Sequence, residues 1–234
     1  MKLNKKQLVK YLTGLVVTVL ILVGQWLWQD ITAVPIPTIS QDEVPAYSGD
    51  PFVVLNGGNP YFEASELVTT SYETYGELDS LGRCTVTMAC IGRDIMPTEE
   101  RGSISSVKPT GWVQNYYDHV DGDALYNRAH LIGFQLTGEN ANKQNLITGT
   151  RYFNVEGMLP FENMVADYLR EFRDHHVMYR VTPVFQGDDL VARGVIMEAY
   201  SVEDGGEGIC FCVYVYNVQP GVVIDYATGE NWAE

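Results

Sequence analysis

The chain has 234 residues, 46% of them hydrophobic and 19% charged. That is enough for one sizeable core, and it excludes a disordered polar chain. A net charge of −15 excludes broad electrostatic attachment to a polyanion, so any nucleic-acid contact must be local, through a metal ion and two or three arginines.

At the start of the chain, Lys2, Lys5, Lys6 and Lys10 precede an uncharged stretch, residues 11–29, rich in Leu, Val, Ile and Trp. About 20 apolar residues cross a bilayer as a helix. Lysines before the span keep that end in the cytoplasm, and Trp26 and Trp28 fall where an interfacial aromatic belt would be. Residues 1–30 therefore read as a single-pass anchor with the remainder outside the cell. A cleaved signal peptide, giving a secreted protein, is the rival. The length of the apolar stretch and the poor small-x-small match at Ile31-Thr32-Ala33 favour the anchor.

Residues 31–50 carry Pro35, Pro37, Ser40, Pro45 and Ser48 with little periodicity and read as an extended linker. Residues 51–234 read as one domain. Asn56-Gly57-Gly58-Asn59-Pro60 is a turn and not a phosphate loop, since no Lys-Ser/Thr follows. Strand-like segments run over 83–91, 177–185, 190–200 and 208–218, with turns at Gly187-Asp188-Asp189 and at 203–208. Leu131-Ile132-Gly133-Phe134 suits a short strand or a loop over the core. Phe161, Met164, Val165, Tyr168, Leu169 and Phe172 recur with helical period, and Pro160 is placed to open that helix. The pattern predicts an α+β domain with a mainly antiparallel sheet. Cys84, Cys90, Cys210 and Cys212 suit a disulfide or buried thiols; no Cys-x-x-Cys or neighbouring histidine supports zinc.

The densest chemistry lies between residues 127 and 162. Asn127-Arg128-Ala129-His130 is followed by Asn145 to Arg151, then Asn154, then Glu162. A histidine can take a proton from water near neutral pH. An amide oxygen, a carboxylate and waters suit a hard cation such as Mg²⁺, and arginines suit a phosphate. Those parts together suit cleavage of a phosphodiester bond.

Asn127-Arg128-Ala129-His130 resembles the Asp-Arg-Gly-His signature of the DNA/RNA non-specific endonucleases, which are ββα-metal nucleases. The run from Asn145 to Arg151 with Asn154 resembles the segment ending in that family's metal-binding asparagine. Glu162 follows Asn154 by eight positions (162 − 154 = 8), as an acidic residue near the metal does there. The resemblance implies a ββα-metal core and a division of labour. His130 would be the general base, Asn154 the direct Mg²⁺ ligand (Mn²⁺ a substitute), and Glu162 the group that holds a metal-bound water. Arg128 or Arg151 would bind a phosphate oxygen, with Arg101 and Lys108 as further phosphate contacts upstream. The substrate implied is DNA, with RNA as a second class. The products carry 5′ phosphates, and no organic cofactor is implied.

Two departures stand out: Asn127 replaces aspartate, and Ala129 replaces glycine, where a positive φ would be uncomfortable. Bland readings compete. Glu162 could cap a helix begun by Pro160, Arg151 could pair with an acid, and His119 could sit in a solvated loop. The charge and Asn127 also keep open a non-catalytic surface protein on a nuclease scaffold, and the anchor a nuclease serving DNA uptake.

Overall fold

The computed structural model describes residues 44–234. The expected anchor at 11–29 and most of the expected linker lie outside the described residues. Among the described residues no helix is long and apolar enough to cross a membrane. The strands of this part are β1 (Phe52–Val54), β2 (Tyr72–Tyr75), β3 (Thr87–Ile91), β4 (Tyr126–His130), β5 (Leu146–Thr150), β6 (Val177–Val184), β7 (Gly194–Ser201), β8 (Cys210–Tyr216), β9 (Val222–Ile224) and β10 (Asn231–Ala233).

Six of them form one antiparallel sheet in the order β1-β8-β7-β6-β3-β2; β4 pairs with β5 and β9 with β10. The expected α+β architecture with an antiparallel sheet is present. The long strands alternate as a sheet covered on both faces must. Along β8, Phe211, Val213 and Val215 join the main core, while Cys212, Tyr214 and Tyr216 enter a second cluster on the opposite face. The chain after residue 44 covers that second face: Val44 and Val53 pack on it, and Tyr216 Oη donates to the Pro45 carbonyl at 2.7 Å. Next to it, Arg180 is buried and paired with Glu198 at 2.7 Å.

Two strand starts differ from expectation. β3 starts at Thr87 and not Arg83, because Arg83 and Val86 carbonyls are used by the turn ahead of it (Asp79 N, 3.0 Å; Gly76 N, 2.9 Å). β7 starts at Gly194, since the Leu190 and Val191 amides bond to the Tyr226 carbonyl. Of the two readings of Leu131 to Phe134, the loop over the core is the one found. The strand is the polar run before it, ending at His130, and Phe134–Thr137 forms a single helical turn.

The helix also begins earlier than Pro160. The chain is helical from Arg151, passes through a π-helical turn at Phe153–Met158, and continues as the long helix Leu159–Glu171. Thr150 Oγ1 accepts the Phe153 N–H at 3.0 Å in the manner of an N-cap. Leu159 N–H then reaches the Asn154 carbonyl, five residues back. Pro160 has no N–H to give, and the widened turn sits where the regular ladder would need one. The long helix buries Phe161, Val165, Ala166 and Leu169 in the main core with Tyr179, Met197 and Val213.

Two features hold the β4–β5 hairpin. Asn217, fully buried, donates to the Thr148 and Ala192 carbonyls (3.0 and 2.9 Å) and accepts from Thr150 N (2.9 Å), tying β5 to the large sheet. Gly149 lets the helix approach: a Cβ there would lie 2.6 Å from Phe153 Cδ1 and 2.8 Å from Ala129 Cβ. Gly149→Ala should therefore push the hairpin from the helix. It should cost about 1–3 kcal/mol by thermal or denaturant unfolding; an unchanged midpoint would show that this contact does not set the spacing.

Candidate active site

The hairpin, the helical segment and the loop around residue 101 enclose a cleft of about 760 Å³. Arg101, Asn127, Arg128, His130, Arg151, Asn154 and Glu162 all line it. Seven of the eight residues singled out from sequence thus meet in one place. The eighth, Lys108, does not. Val107 is buried and gives its carbonyl to Arg128, so Lys108 faces a separate small cavity with Cys84 and Lys143.

His130 ends β4 and is 6% exposed. Its Nε2 lies 2.8 Å from the Asn140 carbonyl and its Nδ1 lies 3.2 Å from Arg101 Nη2. A carbonyl only accepts and a guanidinium only donates. Nε2 therefore carries the proton, and Nδ1 keeps a lone pair beneath Arg101. Burial pushes the His130 pKa down to about 4; the Asn140 carbonyl opposes the shift and the Arg101 charge adds to it. The ring is neutral at physiological pH. Local turns build this setting. Gly138, at φ 71°, closes the Phe134–Thr137 turn and swings the chain toward Asn140. Asn145 staples the base of the hairpin, accepting from Ile132 N (2.9 Å) and donating to Ile132 O (3.0 Å).

Asn154 sits in the π-helical turn, on the wall contributed by the helix. Glu162 lies two turns further along. Its carboxylate packs over Gly133, where a Cβ would meet Oε2 at 2.6 Å. Glu162 does not cap the helix; Met158, at the cap position, makes no side-chain cap bond. Burial raises its pKa to about 7, with Gln135 and Arg101 opposing. The two oxygen-bearing side chains, Asn154 and Glu162, would suit a hard divalent cation, with water in its remaining positions. A carboxylate so poorly solvated also gains from such a charge. Among the described residues no group of three or more His, Cys, Asp or Glu is arranged to hold a metal, so the four cysteines form no metal cage. Nor do they form a disulfide. All four are free thiols, with Cys84, Cys90 and Cys212 buried.

Two of the arginines are already engaged. Arg128 gives Nε to the Val107 carbonyl and Nη2 to the Ser105 carbonyl, with its guanidinium 4.3 Å from the Trp112 ring centre. Arg151 gives Nε and Nη2 to Asp121 at 2.9 and 2.7 Å, on the exposed rim. The altered signature positions have simple local consequences. Ala129 is buried within a regular strand and needs no positive φ. Asn127 keeps its Nδ2 buried with no hydrogen-bond partner in the cleft wall. His119 lies with Asp121 and Arg151 at a smaller neighbouring cavity.

With this geometry in hand, the comparisons with known proteins are specific. A family model described as DNA/RNA non-specific endonuclease matches residues 64–203. The chain belongs to that family. A curated deoxyribonuclease of Streptococcus dysgalactiae subsp. equisimilis is 36% identical over 109 residues, 45% of this chain. The match covers 32% of that relative, so the chain spans about a third of its length. NucA from Streptococcus agalactiae, in a crystal structure with magnesium bound, superposes with a TM-score of 0.72 at 25% identity. That match covers 84% of this chain and 93% of NucA. The Sda1 nuclease with bound zinc gives 0.65 at 25% identity, covering 79% and 97%. The related nucleases thus hold a divalent ion, and the ββα-metal fold inferred from the signature is the fold found.

Sequence reasoning missed two residues that set the site: Asn140, whose main-chain carbonyl holds His130, and Gly133, whose lack of a Cβ leaves room for the Glu162 carboxylate. Neither position carries a side-chain signal. A direct check is NMR titration of the four histidines in metal-free protein. His130 should titrate near pH 4, and Arg101→Ala should move it upward by removing a like charge. Because the unfolded ring titrates near 6.5, the unfolded chain binds more protons between those values. Stability should fall as pH drops through that window. A His130 pKa at or above 6.5 would contradict the burial and the tautomer.

Proposed function

We propose that the chain is a metal-dependent endonuclease that hydrolyses phosphodiester bonds of DNA, and of RNA as a second class, with little sequence preference. The observation that carries this reading is the neutral His130 ring, its Nδ1 lone pair directed at a cleft that it shares with Asn154 and Glu162.

Water enters beside His130 and gives its proton to Nδ1 as its oxygen bonds to phosphorus. The Nε2–H bond to the Asn140 carbonyl stabilises the imidazolium that forms. The P–O3′ bond breaks, leaving a 5′ phosphate on one product, and the departing 3′ oxygen takes a proton from solvent. Arg101 must leave Nδ1 before water can use it. A phosphate arriving in the cleft supplies the attraction, moving the guanidinium from a neutral nitrogen to an anion. Mg²⁺, with Mn²⁺ as a substitute, would be held by Asn154 and by Glu162 through water, and would supply charge neutralisation at the phosphate and the 3′ oxygen. Arg128 braces the loop wall and Arg151 the rim. The domain would act outside the cell, anchored by residues 11–29 or released by cleavage after them. In either case the membrane is the partner of that segment alone.

Supercoiled plasmid with Mg²⁺ tests the reading. The wild-type chain should nick it, EDTA should stop the reaction, and His130→Ala should lose about 10²–10⁴-fold in rate while unfolding at the wild-type midpoint. A folded His130→Ala variant that still cuts would remove the base from the mechanism. Arg101→Ala should slow cleavage at least tenfold and Lys108→Ala should leave it within twofold, the difference between a residue on the cleft and one off it. Equal losses in both would contradict the separation of the two cavities.

A further inference from the structure

The cleft is larger than its hydrolytic groups require. At about 760 Å³ it falls within the range of about 300–1,000 Å³ that holds whole small molecules, well beyond one phosphate. Part of the remaining lining is aromatic and amide, with Trp112, Gln114, Tyr116 and Tyr126 among it. Trp112 and Tyr126 form a fixed wall, their ring centres 6.2 Å apart, with Arg128 over one face of the indole and Tyr126 Oη donating to the Gly229 carbonyl.

Tyr116 differs from both. It is 71% exposed and touches no other aromatic ring among the described residues. Its backbone is nonetheless pinned. Tyr116 bridges to Ala124, Leu125 N–H reaches the Asn115 carbonyl at 3.0 Å, and Tyr117 N–H reaches the Asp123 carbonyl at 2.8 Å. Gly122 and Asp123, both at positive φ (72° and 63°), make the tight reversal that allows this pairing. An exposed phenol on a rigid mount costs little entropy to bind against. Beside it, Gln114 Oε1 accepts from Tyr126 N at 2.9 Å, which fixes the amide and leaves its Nε2 hydrogens to the cleft.

We propose that Tyr116 is a stacking platform for the base of a nucleotide flanking the scissile phosphate, and that Gln114 Nε2 donates to that base's edge. This rests on the nuclease reading and names the form of substrate it prefers. Electrostatics point the same way. With a net charge of −15, and Arg128 and Arg151 engaged within the protein, backbone attraction is weak and stacking must carry binding. Every base has a π-face and every base has an acceptor on its edge, so such a platform is indifferent to sequence. It is not indifferent to strandedness, since a base inside a duplex has no free face. The substrate favoured is single-stranded or locally unpaired nucleic acid.

The test is binding without catalysis, by anisotropy of a fluorescein-labelled thymidine 12-mer and a labelled 12-base-pair duplex, with the full chain in EDTA. Wild type should bind the single strand more tightly than the duplex. Tyr116→Ala should weaken single-strand binding about tenfold, as loss of one stacked base does; Tyr116→Phe should stay within threefold of wild type. Absence of single-strand binding by wild type, a Tyr116→Ala variant that binds as wild type, or an equal loss on both ligands overturns the proposal. Plasmid cleavage by wild type in Mg²⁺, run in parallel, reports on the nuclease reading by itself. Intact stacking with no cleavage would sink that reading and leave the platform standing.

Discussion

The bond from His130 Nε2 to the Asn140 carbonyl, 2.8 Å long, is the interaction on which the site depends. It fixes the tautomer, and so decides which nitrogen can receive a proton. It also turns the ring so that this nitrogen faces the cleft and not the core. The carbonyl is in place because Gly138 takes a left-handed conformation that no β-branched or bulky residue accepts easily. The ring is in place because β4 ends there, held to β5 through its full length. Buried Asn145 and Asn217 fasten that hairpin to its own connection and to the large sheet. The setting of one nitrogen is thus the end of a chain of side-chain and backbone hydrogen bonds.

The same economy governs charge. The cleft contains a neutral imidazole and a carboxylate raised to about pKa 7 by burial, beside one guanidinium that bonds to the ring. Neither titrating group is solvated well enough to hold its charge unaided, which is the condition under which a bound cation and a phosphate stabilise a site most. On the nuclease reading, this is how an acidic protein would act on a polyanion, with the attraction confined to one enclosed point.

Much of this was legible in the sequence. The spacing of Asn127-Arg128-Ala129-His130, Asn154 and Glu162 announced a family, and the alternation in residues 177–218 announced the sheet. The strand bearing His130 was not legible, because Tyr126–His130 is polar at three positions and gains its strand state from β5 and not from its own hydrophobicity. Pro160 does stand in the first turn of the long helix, as its position suggested; the π-helical turn at Phe153–Met158 ahead of it was not legible, since no residue type marks such a turn. Lys108 was misplaced because nothing in the sequence says that Val107 turns inward. Arg101 was placed in the cleft only by likeness; its contact with His130 is a tertiary event between distant segments.

The central claim is that the base and the ligand asparagine flank one ion. Its most direct test is paramagnetic broadening by Mn²⁺ in selectively ¹⁵N-labelled protein. At substoichiometric Mn²⁺ the ring signals of His130 and the side-chain amide of Asn154 should broaden together, while those of His175 and His176, beyond the long helix, stay sharp. A sharp His130 ring alongside a broadened Asn154, or no selective broadening of either, would contradict the account.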